Sequence, residues 1–283
     1  MVEIIVNADD FGISKGVNYA VFKGGMFGIL NSASLMVNQK YTEDAIRISK
    51  AVPQLKIGLH LNFTNGYSTA SAEKVPLLTD GNGKFVNGFI KLLLLTLLQP
   101  RKMKYQIWRE VEAQILEMKK YQLSPVHVDG HRHIQMIPLF YKIVAKNCKK
   151  YKIPRIRLVN EDIFHTWKTQ GVFAGIKNGG IIKYMVLKIM TLYLKQVAPV
   201  YFFSILFSCR ITPECMRKIR IPKKWNAIEI MVHPGMPEVD KKDLYGISDK
   251  NILSSNRQRE LEAVLDKNCL WKHIGVWRIF GLA

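Results

Sequence analysis

The stretch His127-Val128-Asp129-Gly130-His131-Arg132-His133-Ile134-Gln135-Met136-Ile137-Pro138 holds three of the chain's seven histidines within seven positions, around one carboxylate. If the chain leaves a strand at Val128, period-two alternation turns His127, Asp129, His131 and His133 to one side, where they converge. Neutral imidazoles meeting a carboxylate are what a divalent metal binds. A polar turn with solvated histidines is the plainer alternative, but it supplies no structural motive for gathering four such groups. Gly130 allows a tight turn or the close approach of a ligand. A site at the carboxyl end of a strand is the habit of parallel sheets and barrels, so the rest of the chain is read for strands that end in the same way.

Such strands flank the stretch on both sides. Glu3-Ile4-Ile5-Val6-Asn7 reads as a buried strand, and Ala8-Asp9-Asp10-Phe11-Gly12 follows it with two adjacent carboxylates. Adjacent side chains at a strand end diverge, so one Asp can bind a metal while its neighbour faces the substrate. Ser14 caps the helical segment 17–27. Residues 34–37 are a short strand, 41–52 a helix, and Ile57-Gly58-Leu59-His60-Leu61-Asn62-Phe63 a strand that carries a histidine. A histidine between leucines is ordinarily a satisfied core residue; Gly58 and Asn62 make His60 a strand-end ligand candidate instead. Residues 66–84 form a turn-rich loop over that face, 105–121 is an amphipathic helix, 137–150 is helical, and 156–159 is a strand. A late strand, Ala227-Ile228-Glu229-Ile230-Met231-Val232, ends in His233-Pro234-Gly235. Alternating strands and helices define an α/β chain with a parallel sheet or barrel, in a single domain over 1–283.

With 48% hydrophobic residues among 283, the core is ample. Cys148, Cys209, Cys215 and Cys269 show no paired spacing, so they read as reduced thiols. The first residues carry no basic leader before the Asp pair, which makes a cytoplasmic location the expectation. A net charge of +20 attracts polyanions, but the lysines are spread and no nucleic-acid-binding signature accompanies them. Two apolar runs interrupt the pattern. Residues 90–98 are too short to span a membrane, and 181–207 are broken by lysines and Pro199. In the second run Lys188, Thr191 and Lys195 share a helical face with Tyr184, leaving a wide apolar face. The barrel, a homo-oligomer partner, a lipid or the inner face of a membrane must cover it, with Lys183, Lys188 and Lys195 at anionic headgroups in the last case.

Asn7-Ala8-Asp9-Asp10-Phe11-Gly12, Gly58-Leu59-His60-Leu61-Asn62, the 127–133 stretch and Met231-Val232-His233-Pro234-Gly235, in that order, resemble the YdjC-like carbohydrate deacetylases. The resemblance implies a deformed (β/α) barrel of mostly parallel strands, here with an apolar helical insertion at about 171–224. It also implies metal-dependent removal of an N-acetyl group from an amino sugar, with Asp10, His60 and His131 as ligands of one divalent ion. Asp9 is then the general base and His233 the acid or substrate-side imidazole. The family suggests Mg²⁺, while two imidazoles favour Zn²⁺ or a later transition metal. Gln135 stands where a further histidine is common in the family. A branch of the family is associated with hopanoid synthesis, so the apolar run suits a lipid-linked sugar.

The chemistry agrees with these roles. One carboxylate and two imidazoles leave open positions on a metal, which activates bound water and polarises an amide carbonyl. Asp129 is expected to orient a ligand histidine. His133 is a substrate-side candidate, and Arg157, at a neighbouring strand end, a candidate partner for Asp9. Two alternatives stay open: a metal phosphoesterase, and a lipid-binding protein of the same fold without turnover.

Overall fold

The structure is a computed structural model that describes residues 2–171, 180–194, 200–222, 224–242, 249–269 and 277–279. Ile4, Ile5 and Val6 open β1 (Val2–Phe11), and from Ile4 onward every residue of that strand is buried. Burial of both strand faces is the environment of a parallel sheet covered on each side. There follow α1 (Lys15–Phe27), β2 (Ser32–Leu35), α2 (Thr42–Ala51) and β3 (Lys56–Leu61). Ser14 accepts from Val17 N at 3.2 Å and so caps α1. Then come α3 (Phe89–Leu98), α4 (Pro100–Lys120), β4 (Val128–Gly130) and α5 (Pro138–Tyr151). The helix expected over 105–121 starts earlier because Pro100 occupies its first turn, where its fixed φ and missing N–H cost nothing.

The remaining elements are α6 (Ile163–Gln170), α7 (Gly180–Thr191), β5 (Tyr201–Phe203), α8 (Pro213–Lys218), β6 (Ala227–Val232), α9 (Pro237–Asp240), α10 (Ser255–Leu265) and β7 (Trp277–Ile279). The strands run β4-β3-β2-β1-β6-β5, every pairing parallel, with β7 also on β1. The six strands of that path curl into a half-barrel surrounded by helices.

Residues 156–159 are not a regular strand, although they occupy a strand's place between β4 and β5. Ile156 bridges Val128, and Arg157 N donates to Val128 O at 2.9 Å. Towards β5 the backbone ladder gives way to the Asn160 side chain, which accepts from Phe202 N and donates to Val200 O, each at 2.8 Å. Pro154, without an N–H, cannot begin a ladder here. The strand expected at 34–37 lies two residues earlier, as β2.

The apolar run 181–207 is likewise not one helix. Tyr184, Leu187 and Met190 of α7 pack into a satellite core with Met136, Tyr141, Leu158 and Phe202. The chain then returns as β5, whose three aromatic residues are buried in the sheet. The stretch 171–224 therefore contains a strand of the barrel and is not a helical insertion throughout. Lys195 lies outside the described residues. Among the described residues no helix is long and apolar enough to cross a membrane.

Candidate active site

Three backbone irregularities aim the strand ends into one cavity. β1 bulges against β2 between Ala8 and Phe11, and Asp10 adopts a left-handed φ of 64°. After β4 the alternation expected through His133 stops at Gly130, because Arg132 and His133 take φ values of 57° and 59° and turn the chain. Each left-handed non-glycine residue costs about 1–2 kcal/mol, so contacts at the site must hold this strain. The cavity is lined by Asp9, Asp10, His60, His131, His133 and His233 from the sequence reading. His127 lies a layer deeper, bonded to Ser34 Oγ at 3.0 Å. Gly58 makes room for it: a Cβ there would stand 2.2 Å from the His127 ring. Gln135 is fully buried and donates to Arg157 O at 3.4 Å, away from the cavity lining.

Asp10, His60 and His131 offer one ligand atom each, all within 4.8 Å of one another. Asp10 Oδ1 stands 2.8 Å from His131 Nδ1 and 3.4 Å from His60 Nε2. The other nitrogen of His60, Nδ1, meets Asp129 Oδ1 at 2.7 Å, the carboxylate partner that commonly orients a ligating imidazole. A second grouping, Asp9, His60 and Asp129, is equally compact. The Arg157 guanidinium already fills that side, with bonds of 2.6 and 2.7 Å to Asp9 and 2.7 Å to Asp129. A cation beside a guanidinium meets repulsion, so the donor set that fits a divalent ion is Asp10, His60 and His131.

The electrostatics follow from burial and pairing. Burial opposes ionisation of Asp10, yet His131 and Arg257 hold its carboxyl well below the usual range, the latter through a 2.6 Å bond from Nη2 to Oδ2. Burial likewise opposes charge on His60, but Asp129 and Asp10 push its pKa up to about 10. His133, buried near Lys183 and Arg157, is driven well down and is neutral. For His233 burial lowers the pKa, but Cys209 and Glu260 outweigh it and hold the group well above the ordinary range. Asp9 Oδ1 also accepts from Asn7 Nδ2 at 2.8 Å, so three of its roughly four acceptor positions are taken and one remains.

Several participants were missed by the sequence reading. Arg257 and Glu260, one turn apart on α10, hold Asp10 and the backbone N–H of His233 respectively. Their only sequence signal is a charged pair at i and i+3, which on most helices is a solvated face. Gly235 packs against Arg257, where a Cβ would meet its side chain at 3.1 Å. Lys183, Ser208, Cys209, Asp249 and Asn251 also line the cavity. The cysteines are free thiols.

A half-barrel of parallel strands with an Asp-His-His group at their carboxyl ends defines an α/β protein with a candidate metal centre. The chain belongs to the YdjC-like family, whose model matches residues 3–270. It is 37% identical over 152 residues to a carbohydrate deacetylase of Brevibacillus brevis, covering 54% of this chain and 58% of that one. A carbohydrate deacetylase of Geobacillus stearothermophilus is 36% identical over 169 residues, 60% of this chain and 64% of that one. The chain thus spans less than two thirds of the length of these relatives. The fold is similar to a crystal structure of an Enterococcus faecalis V583 protein, with a TM-score of 0.69 at 19% identity over 96% of this chain and 94% of the other.

Proposed function

We propose that this protein is a metal-dependent hydrolase that removes the N-acetyl group from an amino sugar. The observation that carries the reading is the buried Asp10-His60-His131 group beside an Asp9 that Arg157 holds but does not exhaust. Membership of a family whose relatives are named carbohydrate deacetylases supports it. Asp10, His60 and His131 would hold one divalent ion, Mg²⁺ or Zn²⁺, which when bound polarises an amide carbonyl and acidifies water. Asp9 takes the proton from the attacking water at its remaining acceptor position. His233, kept protonated by Cys209 and Glu260, delivers a proton to the leaving amine, which is a poor leaving group without one. A C–O bond forms, the C–N bond breaks, and acetate and the free amino sugar result.

The finer reading is that the sugar is lipid-linked and met at the inner face of a membrane. Its support is the exposed apolar side of α7 and the turn that follows it: Ile182, Met185, Ile189 and Leu192 are 53–79% exposed. The test is acetate release from a panel of soluble and lipid-linked N-acetyl sugars with Mg²⁺ or Zn²⁺. Release from none of them, with turnover of phosphate esters instead, would replace the deacetylase by a metal phosphoesterase.

A further inference from the structure

The deacetylase reading gives Lys183, a cation lining the cavity, no task. A membrane covering the apolar face would place Lys183 at headgroups, but α7 turns it inward, where its Nζ donates to Ser208 Oγ at 3.3 Å and both residues line the cavity with Asp9, Asp10 and His233. Moving an ammonium out of bulk water is unfavourable unless a partner compensates. The carboxylates of the cavity are already engaged. Asp9 has Arg157 on both oxygens, Asp10 has His131 and Arg257, and Asp249 faces His131 and Arg132 at 3.7 Å. Among the described residues no carboxylate lies within 4.0 Å of Lys183 Nζ. Burial pushes this lysine's pKa down, against the attraction of Cys209, Asp9 and Asp10.

An ammonium has three donors, and Ser208 takes one. Arg257 Nη1, from another wall of the same cavity, is also buried without a hydrogen-bond partner. Two cations that line one cavity and keep unspent donors call for an anion from the ligand. Hydrolysis of an amide supplies one, since the neutral acyl group gathers negative charge on its oxygen and departs as a carboxylate. Preorganised donors aimed at developing charge are among the strongest contributors to catalysis.

We propose that Lys183 is a catalytic residue whose ammonium receives the negative charge that develops on the acyl oxygen and leaves with the acetate. Lys183 keeps its proton throughout: one proton of the attacking water goes to Asp9 as the C–O bond forms, the C–N bond breaks as the amine takes a proton from His233, and the acid's remaining proton passes to the freed amine, so that acetate and an ammonium leave. The inference rests on the deacetylase reading, and it makes the cavity a carboxylate site even without substrate.

The experiment titrates ¹³C-acetate into the protein, metal-loaded and after chelation, and follows the acetate line by NMR, beside steady-state kinetics on the acetyl sugars. Wild type binds acetate in both forms, and Lys183→Met, a change of similar size, weakens that binding about tenfold or more. Lys183→Arg keeps the charge and most of the binding, while Lys142→Met, on exposed α5 surface, changes nothing. In turnover, Lys183→Met lowers kcat with KM nearly unchanged and metal content intact. The proposal is overturned if folded Lys183→Met binds acetate like wild type, if wild type binds none without metal, or if kcat is unaffected. Lys183-dependent acetate binding with no acetyl sugar hydrolysed would instead remove the deacetylase reading and leave the carboxylate site standing.

Discussion

Arg157 shows how one residue organises the centre. Fully buried, its guanidinium bonds Asp9, Asp129 and Glu229, the last at 2.6 Å through Nε. Removing one partner of a buried ion network leaves uncompensated charge at a cost of about 3–5 kcal/mol. Arg157→Met should therefore lose about that much stability in denaturant unfolding; a loss below about 1 kcal/mol would show that the carboxylates relax without it. The adjacent aspartates should separate by role. Asp9→Asn should cut turnover about 10²–10⁴-fold while metal content stays near stoichiometric, whereas Asp10→Asn should lose both metal and activity. The reverse pattern means the roles are exchanged. His60 adds a pH signature: with its pKa near 10 when metal-free, it is protonated at neutral pH, and a ligating imidazole must give that proton up. Metal affinity should then rise as pH rises towards about 10, with close to one proton released per ion at pH 7. Calorimetry in buffers of different ionisation enthalpy measures that count, and a count near zero would show that His60 is already neutral before the metal binds.

Strands were legible where their side chains declare burial, and lost where side chains replaced the ladder. β1 and β6 follow from β-branched runs ending in polar residues and β3 from an apolar run around His60, and the candidate ligands Asp10, His60 and His131 lie at or just beyond the ends of β1, β3 and β4. The 156–159 segment has the composition of a strand, but Asn160 makes the bonds its backbone would have made. Alternation through His133 fails for a cause invisible to periodicity, two consecutive left-handed residues. Arg257 and Glu260 were illegible because nothing in α10 itself says that its charged face meets the sheet rather than water. Gly58 was legible in kind but not in reason: it seats the ring of His127, the residue just before β4. Gly58→Ala should displace that ring from Ser34 and cost about 1–3 kcal/mol by overpacking, read as a lowered thermal midpoint; an unchanged midpoint would mean the strands part without penalty. Glu161 caps Ile205 N at 2.7 Å just beyond β5, and burial pushes its pKa up to about 7. The unfolded chain loses this proton near 4.5, so the group's contribution is full below that pH and falls away as pH rises to 7. Glu161→Gln should flatten the decline of stability across pH 4.5–7, by up to about 3 kcal/mol; an unchanged slope would put the proton elsewhere.

Charge and apolar surface act together only in the whole molecule. α3 leaves Ile90, Leu94, Leu97 and Leu98 at 49–75% exposure, and α7 with the turn after it leaves Ile182, Met185, Ile189 and Leu192 exposed. Both helices border the same satellite core, α3 through Phe89 and Leu93 and α7 through Tyr184, Leu187 and Met190, so their apolar sides belong to one flank of the barrel. Lys91, Arg101, Lys102, Lys104 and Lys188 are exposed on these helices and at the start of α4. Each basic residue near an anionic bilayer contributes on the order of 1 kcal/mol, and that contribution fades with salt, whereas apolar burial does not. The protein should therefore float with vesicles of anionic lipid at low salt, float poorly with zwitterionic vesicles, and partly detach as salt rises. Leu97→Glu with Leu192→Glu should abolish flotation while leaving acetate release from soluble sugars unchanged, because neither residue lines the cavity. If the wild type stays unbound and instead dimerises with rising concentration in a way the same two substitutions prevent, a second copy covers this flank, and the lipid-linked substrate loses its support.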